Sequence, residues 1–241
     1  MIVGAVPVKD LINAKQRLIA VLSPSERREL ARAMLEDALT ALREAGLDSV
    51  AVVTRDAEVV ELARRFAVTI LEEARNRGHT EAVALAQREA VKLGADGFLT
   101  IPGDVPLVTA DEIREVTRAA GTGPVAVFVP SRSGFGTNAA LLTPPDVMPL
   151  KFGEPSFANH LTAARERGLE PKVLRLPGLG LDIDGPDDLA ALVAEGGHTR
   201  SGRFLRKLGI RPPTRRPSPL LLSPVGRGRV RGGEDKGEGA R

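Results

Sequence analysis

Basic residues crowd one short segment, VPVKDLINAKQRL, in which Lys9, Lys15 and Arg17 follow an apolar run. Ammonium and guanidinium groups placed there could surround an anion. The segment is not a Walker A loop, because the glycines and the terminal GK[ST] are missing. Taken alone it reads equally well as a solvated basic loop. In IPGDVPL a second apolar run delivers Asp104 onto a tight turn framed by Gly103 and Pro106. A carboxylate in that position suits a hard divalent cation such as Mg²⁺; the plainer alternative is a turn residue bonded to its own loop. LGLDIDGPDDL sets Asp182 and Asp184 on either side of Ile183, so both point the same way in extended chain. Like charges that close require a cation or a basic group between them. Asp187 and Asp188 follow Pro186 at a helix start, where carboxylates are ordinary, and read as structural.

A fourth cluster runs from Pro130 to His160 as PSRSGFGTNAALL and KFGEPSFANH. Gly134 and Gly136 permit close backbone approach to a ligand, while Thr137 and Asn138 offer hydrogen-bonding groups. Gly153 precedes an expected helix with Ser156 in its first turn, where free N–H groups would receive a phosphate. The bland alternatives are an ordinary cap for Ser156 and a helix-surface position for His160. Together the four clusters supply cations, carboxylates able to share a metal, and a small-oxyanion pocket. That set suits nucleotidyl transfer to a phosphorylated acceptor.

These residues need a scaffold that brings them to one edge. Strands are expected at Met1–Val8, 49–54, 68–73, 97–102, 124–130, 138–143 and 172–176, short and largely apolar, with 49–54 the most β-branched. Between them, Ser23, Pro24 and Glu26 open a helix that Gly46 stops, and Thr109 with Glu112 forms a second capping box. Further helices are expected over 57–65, from a Thr80 cap to Leu93, around Pro155 and near Pro186. The βαβα rhythm implies a single α/β domain, three layers with a mostly parallel mixed sheet between helices. Ligands in such folds gather at loops leaving the carboxyl ends of strands, where the four clusters lie.

Composition limits the alternatives. The chain has no cysteine, which excludes disulfides, thiolate zinc sites and cysteine nucleophiles. Its three histidines show no paired metal-ligand spacing, and an aromatic content of 3%, with no Trp or Tyr, argues against a stacking platform for single-stranded nucleic acid. No apolar run is long enough to span a membrane and no secretory signal is visible, so a cytoplasmic location is expected. The net charge of +3 is unevenly spread: residues 199–241 hold 12 Lys/Arg and 3 Asp/Glu, against 22 and 28 in the rest. The division expected is therefore a catalytic domain over 1–198 and a basic Pro/Gly-rich tail over 199–241, mostly disordered, with FLRKLGI as a segment able to dock as a short helix.

The motifs VPVK…AKQRL, SPSERRELARAML, GDVPL, GTNA, FGEPSF..H and LDIDGPDDL, in this order over roughly residues 1–195, resemble the CofC/FbiD guanylyltransferases of coenzyme F420 biosynthesis. The resemblance implies a GT-A-like, Rossmann-like nucleotidyltransferase fold. It implies condensation of GTP with a small phosphorylated carboxylic acid, giving a diphospho-5'-guanosine product and pyrophosphate. Phosphoenolpyruvate is the acceptor favoured, with 2-phospho-L-lactate and 3-phospho-D-glycerate as alternatives. By the same resemblance Asp104 and Asp184, helped by Asp182, hold Mg²⁺, and Thr137, Gly153 and Ser156 receive the acceptor; from their charge, Lys9, Lys15 and Arg17 are expected to steady the triphosphate, and Asn138 adds hydrogen-bonding groups beside Thr137. The family would pass its labile product to the F420-forming transferase, and a homodimer is open. Family members commonly carry Gly-Leu-Asn where this chain reads Gly78-His79-Thr80-Glu81, near where the guanosine should sit. Two competing readings are a nucleotidyltransferase for a sugar phosphate or the molybdenum cofactor, and a noncatalytic nucleic-acid binder acting through the basic tail.

Overall fold

Small and β-branched apolar residues build the sheet at the centre of this computed structural model, which describes residues 1–73, 75 and 77–211. β1 (Ile2–Pro7) lies parallel to β2 (Ser49–Thr54) on one side and to β4 (Gly97–Thr100) on the other. β3 (Thr69–Glu72) continues the parallel set beyond β2. β6 (Thr137–Thr143) runs antiparallel to both of its neighbours, β4 and β5 (Val125–Pro130), and β7 (Lys172–Val173) lies parallel to β5. The order is β3-β2-β1-β4-β6-β5-β7, the mostly parallel mixed sheet that the strand–helix rhythm predicts. From β1 the chain builds outward to β2 and β3, then re-enters at β4 on the opposite side of β1. The crevice at the carboxyl ends of β1 and β4 is therefore a topological switch point, where this architecture binds ligands.

Period-two alternation divides the core into two layers. Val125, Val127 and Val129 of β5 face one cluster, which takes in α1 (Pro24–Ala45), α2 (Ala57–Arg65), α4 (Ala110–Arg118) and α7 (Pro186–Glu195). Ala126 and Phe128 face the other, with α3 (His79–Lys92) and α5 (Ser156–Arg165). Both expected capping boxes form: Ser23 with Glu26 opens α1, which Gly46 closes at φ 77°, and Thr109 with Glu112 opens α4.

Three expectations need correction. First, α3 starts one residue before Thr80, with Gly78 in the cap position. The Thr80 hydroxyl is occupied elsewhere, accepting from Phe152 N at 3.0 Å and donating to Phe152 O at 3.3 Å. Second, KVLRL pairs only at Lys172 and Val173, because the chain turns at Leu176 into the one-turn α6 (Pro177–Gly180) with Pro177 leading it. Third, the folded body does not end at 198. α8 (Arg200–Lys207) is capped by Thr199 and docks on α1, where Asp37 accepts from Arg200 N at 2.8 Å, Ser201 N at 3.0 Å and Ser201 Oγ at 2.6 Å. Leu205 is fully buried in the core. The expected disorder of the tail beyond Arg211 lies outside the described residues. No helix among the described residues is long and apolar enough to cross a membrane.

Candidate active site

The loop after β1 is pinned at both ends and projects one charge inward. Leu11 and Leu18 are buried in single-turn 3-10 helices, Leu11–Asn13 and Gln16–Leu18, and Leu11 N donates to Asp56 Oδ2 at 2.8 Å. Between the two turns Lys15 adopts a left-handed conformation, φ 55° and ψ 44°, which is uncommon for a residue with a side chain. Its ammonium pairs with Asp104 Oδ2 and lies 3.2 Å from Asp184 Oδ1, with the side chain only 8% exposed. Arg17 reaches Asp184 Oδ2 from the solvent side at 3.4 Å. Burial acts to lower the Lys15 pKa, but the charges of Asp104 and Asp184 and their hydrogen bonds overcome it and hold Lys15 above its ordinary value.

The backbone fixes where these two carboxylates meet. Gly103 packs closely, since a Cβ there would stand 3.3 Å from Leu35 Cδ1 and 3.5 Å from Val6 Cγ1. The turn is thus seated against β1 and α1. Ile183 N donates to Asp104 O at 3.1 Å, tying the two acidic segments together. Asp188 Oδ2 accepts from Asp184 N at 3.2 Å and Gly185 N at 2.8 Å, a structural role as its position at a helix start predicts. Asp182 faces the same region but is bonded at Oδ1 to Asn138 Nδ2, 3.0 Å away. Burial raises the Asp182 pKa, with Asp104 and Asp184 adding to the effect and the Asn138 bond opposing it.

A cleft of about 490 Å³ opens over these groups, lined by Lys9, Lys15, His79, Gly103, Asp104 and Asp184 among others. Lys9 is exposed at its rim. A hollow of similar size, about 500 Å³, lies among α1, α2 and α8 and holds none of these residues. Two of its arginines, Arg65 and Arg200, are engaged with Glu36 at 3.9 and 3.2 Å. The cleft at the switch point is therefore the candidate site.

Beside it, β6 and α5 form a second polar centre. Thr137 N donates to Ser156 Oγ at 3.1 Å, and Thr137 Oγ1 lies 3.0 Å from His160 Nδ1. His160 Nε2 accepts from Lys151 N at 3.0 Å. The imidazole stacks on Phe128, with centroids 5.3 Å apart, and meets Phe152 edge-on at 5.1 Å; Phe152 in turn meets His79 edge-on at 4.5 Å. Burial lowers His160 to a pKa of about 4. Burial also takes His79 to about 4; Asp104 opposes the shift and Lys9 adds to it.

The structure sorts the sequence candidates into two groups. Lys9, Lys15, Arg17, Asp104 and Asp184 assemble around one cleft. Thr137, Ser156 and Gly153 gather at the start of α5, where Gly153 has φ 111° and is exposed. Ser156 is buried, its hydroxyl is engaged with Thr137, and Phe157 N at the first turn of α5 is taken by Phe135 O at 3.1 Å. The helix start is thus less open than expected. Asn138 is also buried and gives its amide protons to Leu179 O and Asp182, so it serves as a brace between the groups.

Two residues carry more than the sequence reading assigned them. His160 is 1% exposed, not a surface residue. Its spacing of four from Ser156 puts both on one helix face, the one signal that could have placed it. His79 is more than a departure from a motif, because it lines the cleft while touching Phe152.

Asp104 and Asp184 already share one positive charge, and both offer hard oxygen ligands. Among the described residues no three carboxylates or imidazoles converge as a ready-made cage. The arrangement fits an ion such as Mg²⁺ held by two carboxylates, with its remaining ligands drawn from phosphate and water.

The chain is similar to known proteins in sequence and in fold. The family described as "Guanylyl transferase CofC like" matches residues 2–222. A phosphoenolpyruvate guanylyltransferase from Rubrobacter xylanophilus is 42% identical over 194 residues, covering 80% of this chain and 94% of the relative. A 2-phospho-L-lactate guanylyltransferase from Methanothermobacter thermautotrophicus is 36% identical over 203 residues, covering 84% and 89%. Among solved structures, a nucleotidyl transferase from Methanothermobacter superposes with a TM-score of 0.61 at 20% identity, covering 86% of this chain and 99% of that one. A Desulfovibrio desulfuricans protein assigned to the nucleotide-diphospho-sugar transferases gives 0.70 at 18% identity, covering 86% and 95%. The structural likenesses establish the nucleotidyltransferase fold; the sequence relatives favour guanylyl transfer over a nucleic-acid-binding role.

Proposed function

Because the chain belongs to the CofC-like guanylyl transferase family, we propose that it joins the guanylyl group of GTP to phosphoenolpyruvate, with release of pyrophosphate. The observation that carries the site assignment is the convergence of Asp104 and Asp184 on Lys15 at the switch point of the sheet. In the reaction an acceptor phosphate oxygen attacks the α-phosphorus of GTP, a new P–O bond forms, and the bond from the α-phosphorus to the β-bridging oxygen breaks as pyrophosphate leaves. The attacking oxygen is ionised near neutral pH, so no protein group needs to remove a proton. Catalysis then rests on alignment and on neutralising negative charge.

Asp104 and Asp184, with Asp182 beside them, would hold Mg²⁺, which supplies charge neutralisation to phosphate oxygens when bound. Lys15, fixed at the mouth of the acidic pair, offers its remaining donor capacity to the triphosphate. Lys9 and Arg17, at more exposed positions, face the β- and γ-phosphates and the departing pyrophosphate. Thr137, Gly153 and Ser156 receive the phosphorylated acid, and Asn138 keeps Asp182 in place between the two substrates. Phosphoenolpyruvate is favoured because several relatives carry that name, including the one at 42% identity. The product, an energy-rich mixed diphosphate, requires a consuming transferase, which the family's place in coenzyme F420 biosynthesis supplies.

The test is Mg²⁺-dependent pyrophosphate release from GTP with phosphoenolpyruvate, 2-phospho-L-lactate and 3-phospho-D-glycerate in parallel, and with ATP as the control nucleotide. Release with GTP and phosphoenolpyruvate is expected. Release with another acid reassigns the acceptor, and silence from all three, with the consuming transferase present, overturns the reading.

A further inference from the structure

Around Thr137 the hydrogen bonds close into a chain whose proton positions can be worked out. His160 Nε2 receives the backbone N–H of Lys151 at 3.0 Å. An amide nitrogen only donates, so Nε2 must present a lone pair. The ring is buried between Phe128 and Phe152 and, as a neutral imidazole, carries its single proton on Nδ1. Nδ1 then donates to Thr137 Oγ1 at 3.0 Å. Ser156 Oγ accepts from Thr137 N at 3.1 Å and donates to Thr137 Oγ1 at 3.4 Å. The threonine oxygen thus accepts two bonds, and no acceptor for its own proton is found among the described residues.

We propose that His160 is a positioning residue for the acceptor: held in the Nδ1–H tautomer by the Lys151 amide, it makes Thr137 present its hydroxyl proton to an anionic oxygen of the phosphorylated acid. This rests on the guanylyltransferase reading given above. In the opposite tautomer Thr137 would donate to Nδ1 and turn a lone pair toward the anion, which repels it. The same ring bonds the segment preceding α5 through Lys151, so one imidazole sets both the position of the acceptor loop and the direction of its donor.

The ring's state is read directly from two-bond ¹H–¹⁵N spectra of ¹⁵N-histidine-labelled wild-type protein, assigned by elimination with His79→Asn and His198→Asn. A neutral ring protonated at Nδ1 is expected; protonation at Nε2 overturns the proposal. Kinetics test the consequence. His160→Asn keeps an amide N–H near the place of Nδ1, whereas His160→Gln keeps an oxygen near the place of Nε2 but has no donor for Thr137. His160→Asn should hold the KM for the phosphorylated acid within about threefold, while His160→Gln should raise it by about tenfold or more with the KM for GTP little changed. A merely structural anchor predicts the reverse order, with His160→Gln the milder variant, and that result overturns the proposal. So does a parallel rise in both KM values. If either variant fails to give a cooperative melt, Thr137→Val supplies the kinetic test: a rise of about tenfold or more in the acceptor KM alone is expected, and an unchanged value overturns the proposal. Silence of the wild-type enzyme with every acceptor would overturn the guanylyltransferase reading instead, and the nitrogen spectra decide the tautomer without turnover.

Discussion

Asn138 Nδ2 stands 3.0 Å from Asp182 Oδ1, and this bond joins the acidic cleft to the polar centre at the start of α5. The asparagine also donates to Leu179 O at 2.9 Å, so one buried amide ties β6 to both the acidic segment and the turn of α6. Burial pushes the Asp182 pKa up, and the Asn138 donor opposes that shift.

Asn138→Leu is therefore expected to cost about 1–3 kcal/mol of stability, because it strands a buried carbonyl and a carboxylate together. Urea denaturation measures the loss, and a change below about 0.5 kcal/mol would show the brace to be unimportant. The variant should also lose turnover, through displacement of Asp182.

Asp104→Ala should reduce turnover by at least about 100-fold while leaving the fold cooperative, since it removes one of the two carboxylates that meet at Lys15 in the cleft. A folded variant with a near-normal rate would refute the assignment of Asp104.

Lys15→Met leaves Asp104 and Asp184 facing each other without their shared cation. Turnover should fall by about 100-fold or more. Millimolar Mg²⁺ should raise the Tm of this variant more than that of the wild type, because the unneutralised carboxylates gain more from a cation. Equal shifts in the two proteins would argue against a metal at this pair.

The buried histidines make the fold sensitive to acid in a defined window. His160 has a folded pKa of about 4 against an ordinary value of 6.5. Above pH 6.5 neither folded nor unfolded chain binds this proton, and its effect on stability is nil. Between 6.5 and about 4 only the unfolded chain binds it, so stability falls as pH falls, and below about 4 the loss levels off. The slope is about 1.4 kcal/mol per pH unit for one such histidine. His79, partly exposed to the cleft, shifts in the same direction and contributes less. Denaturation at pH 7 and pH 5 should therefore differ, and His160→Asn should remove part of the difference. Equal stabilities in the wild type would contradict the neutral, buried ring.

A chain ending at Arg211 keeps the contacts of α8 with the described residues, whereas one ending at Thr199 leaves Asp37 without its partners on α8 and removes Leu205 from the core. The shorter chain should melt several degrees lower, roughly as expected for a loss of 1–3 kcal/mol in a protein of this size. The longer should melt like the full protein and retain guanylyl transfer. Loss of transfer in a folded chain ending at Arg211 would bring the basic tail into the reaction.

Much of the scaffold was legible because its signals are local. Ser23 with Glu26 and Thr109 with Glu112 declare helix starts through side chains that reach their own backbone. The strands of the sheet declare themselves through apolar runs bounded by turns. The meeting of Lys15, Asp104 and Asp184 followed from their positions at strand ends, but the sharing of one ammonium depends on the left-handed turn at Lys15, which no local pattern marks. His160 was misplaced because a polar residue on a short helix resembles a surface residue until the facing Phe128 and Thr137 are known. FLRKLGI is legible as a docking helix through its apolar spacing, whereas the cap at Thr199 that starts this helix earlier is hidden by the charge of the tail.

The reversed direction of β6 has a wider consequence. In an all-parallel sheet only residues that follow a strand reach the ligand edge. Here Thr137 and Asn138, which open β6, stand at the edge reached by Asp104, which follows β4. One reversal thus admits a second, separately variable surface to the same rim: the turn at 131–136 and the start of α5 can be recut for a different small acid while the two segments that carry the acidic pair stay where they are.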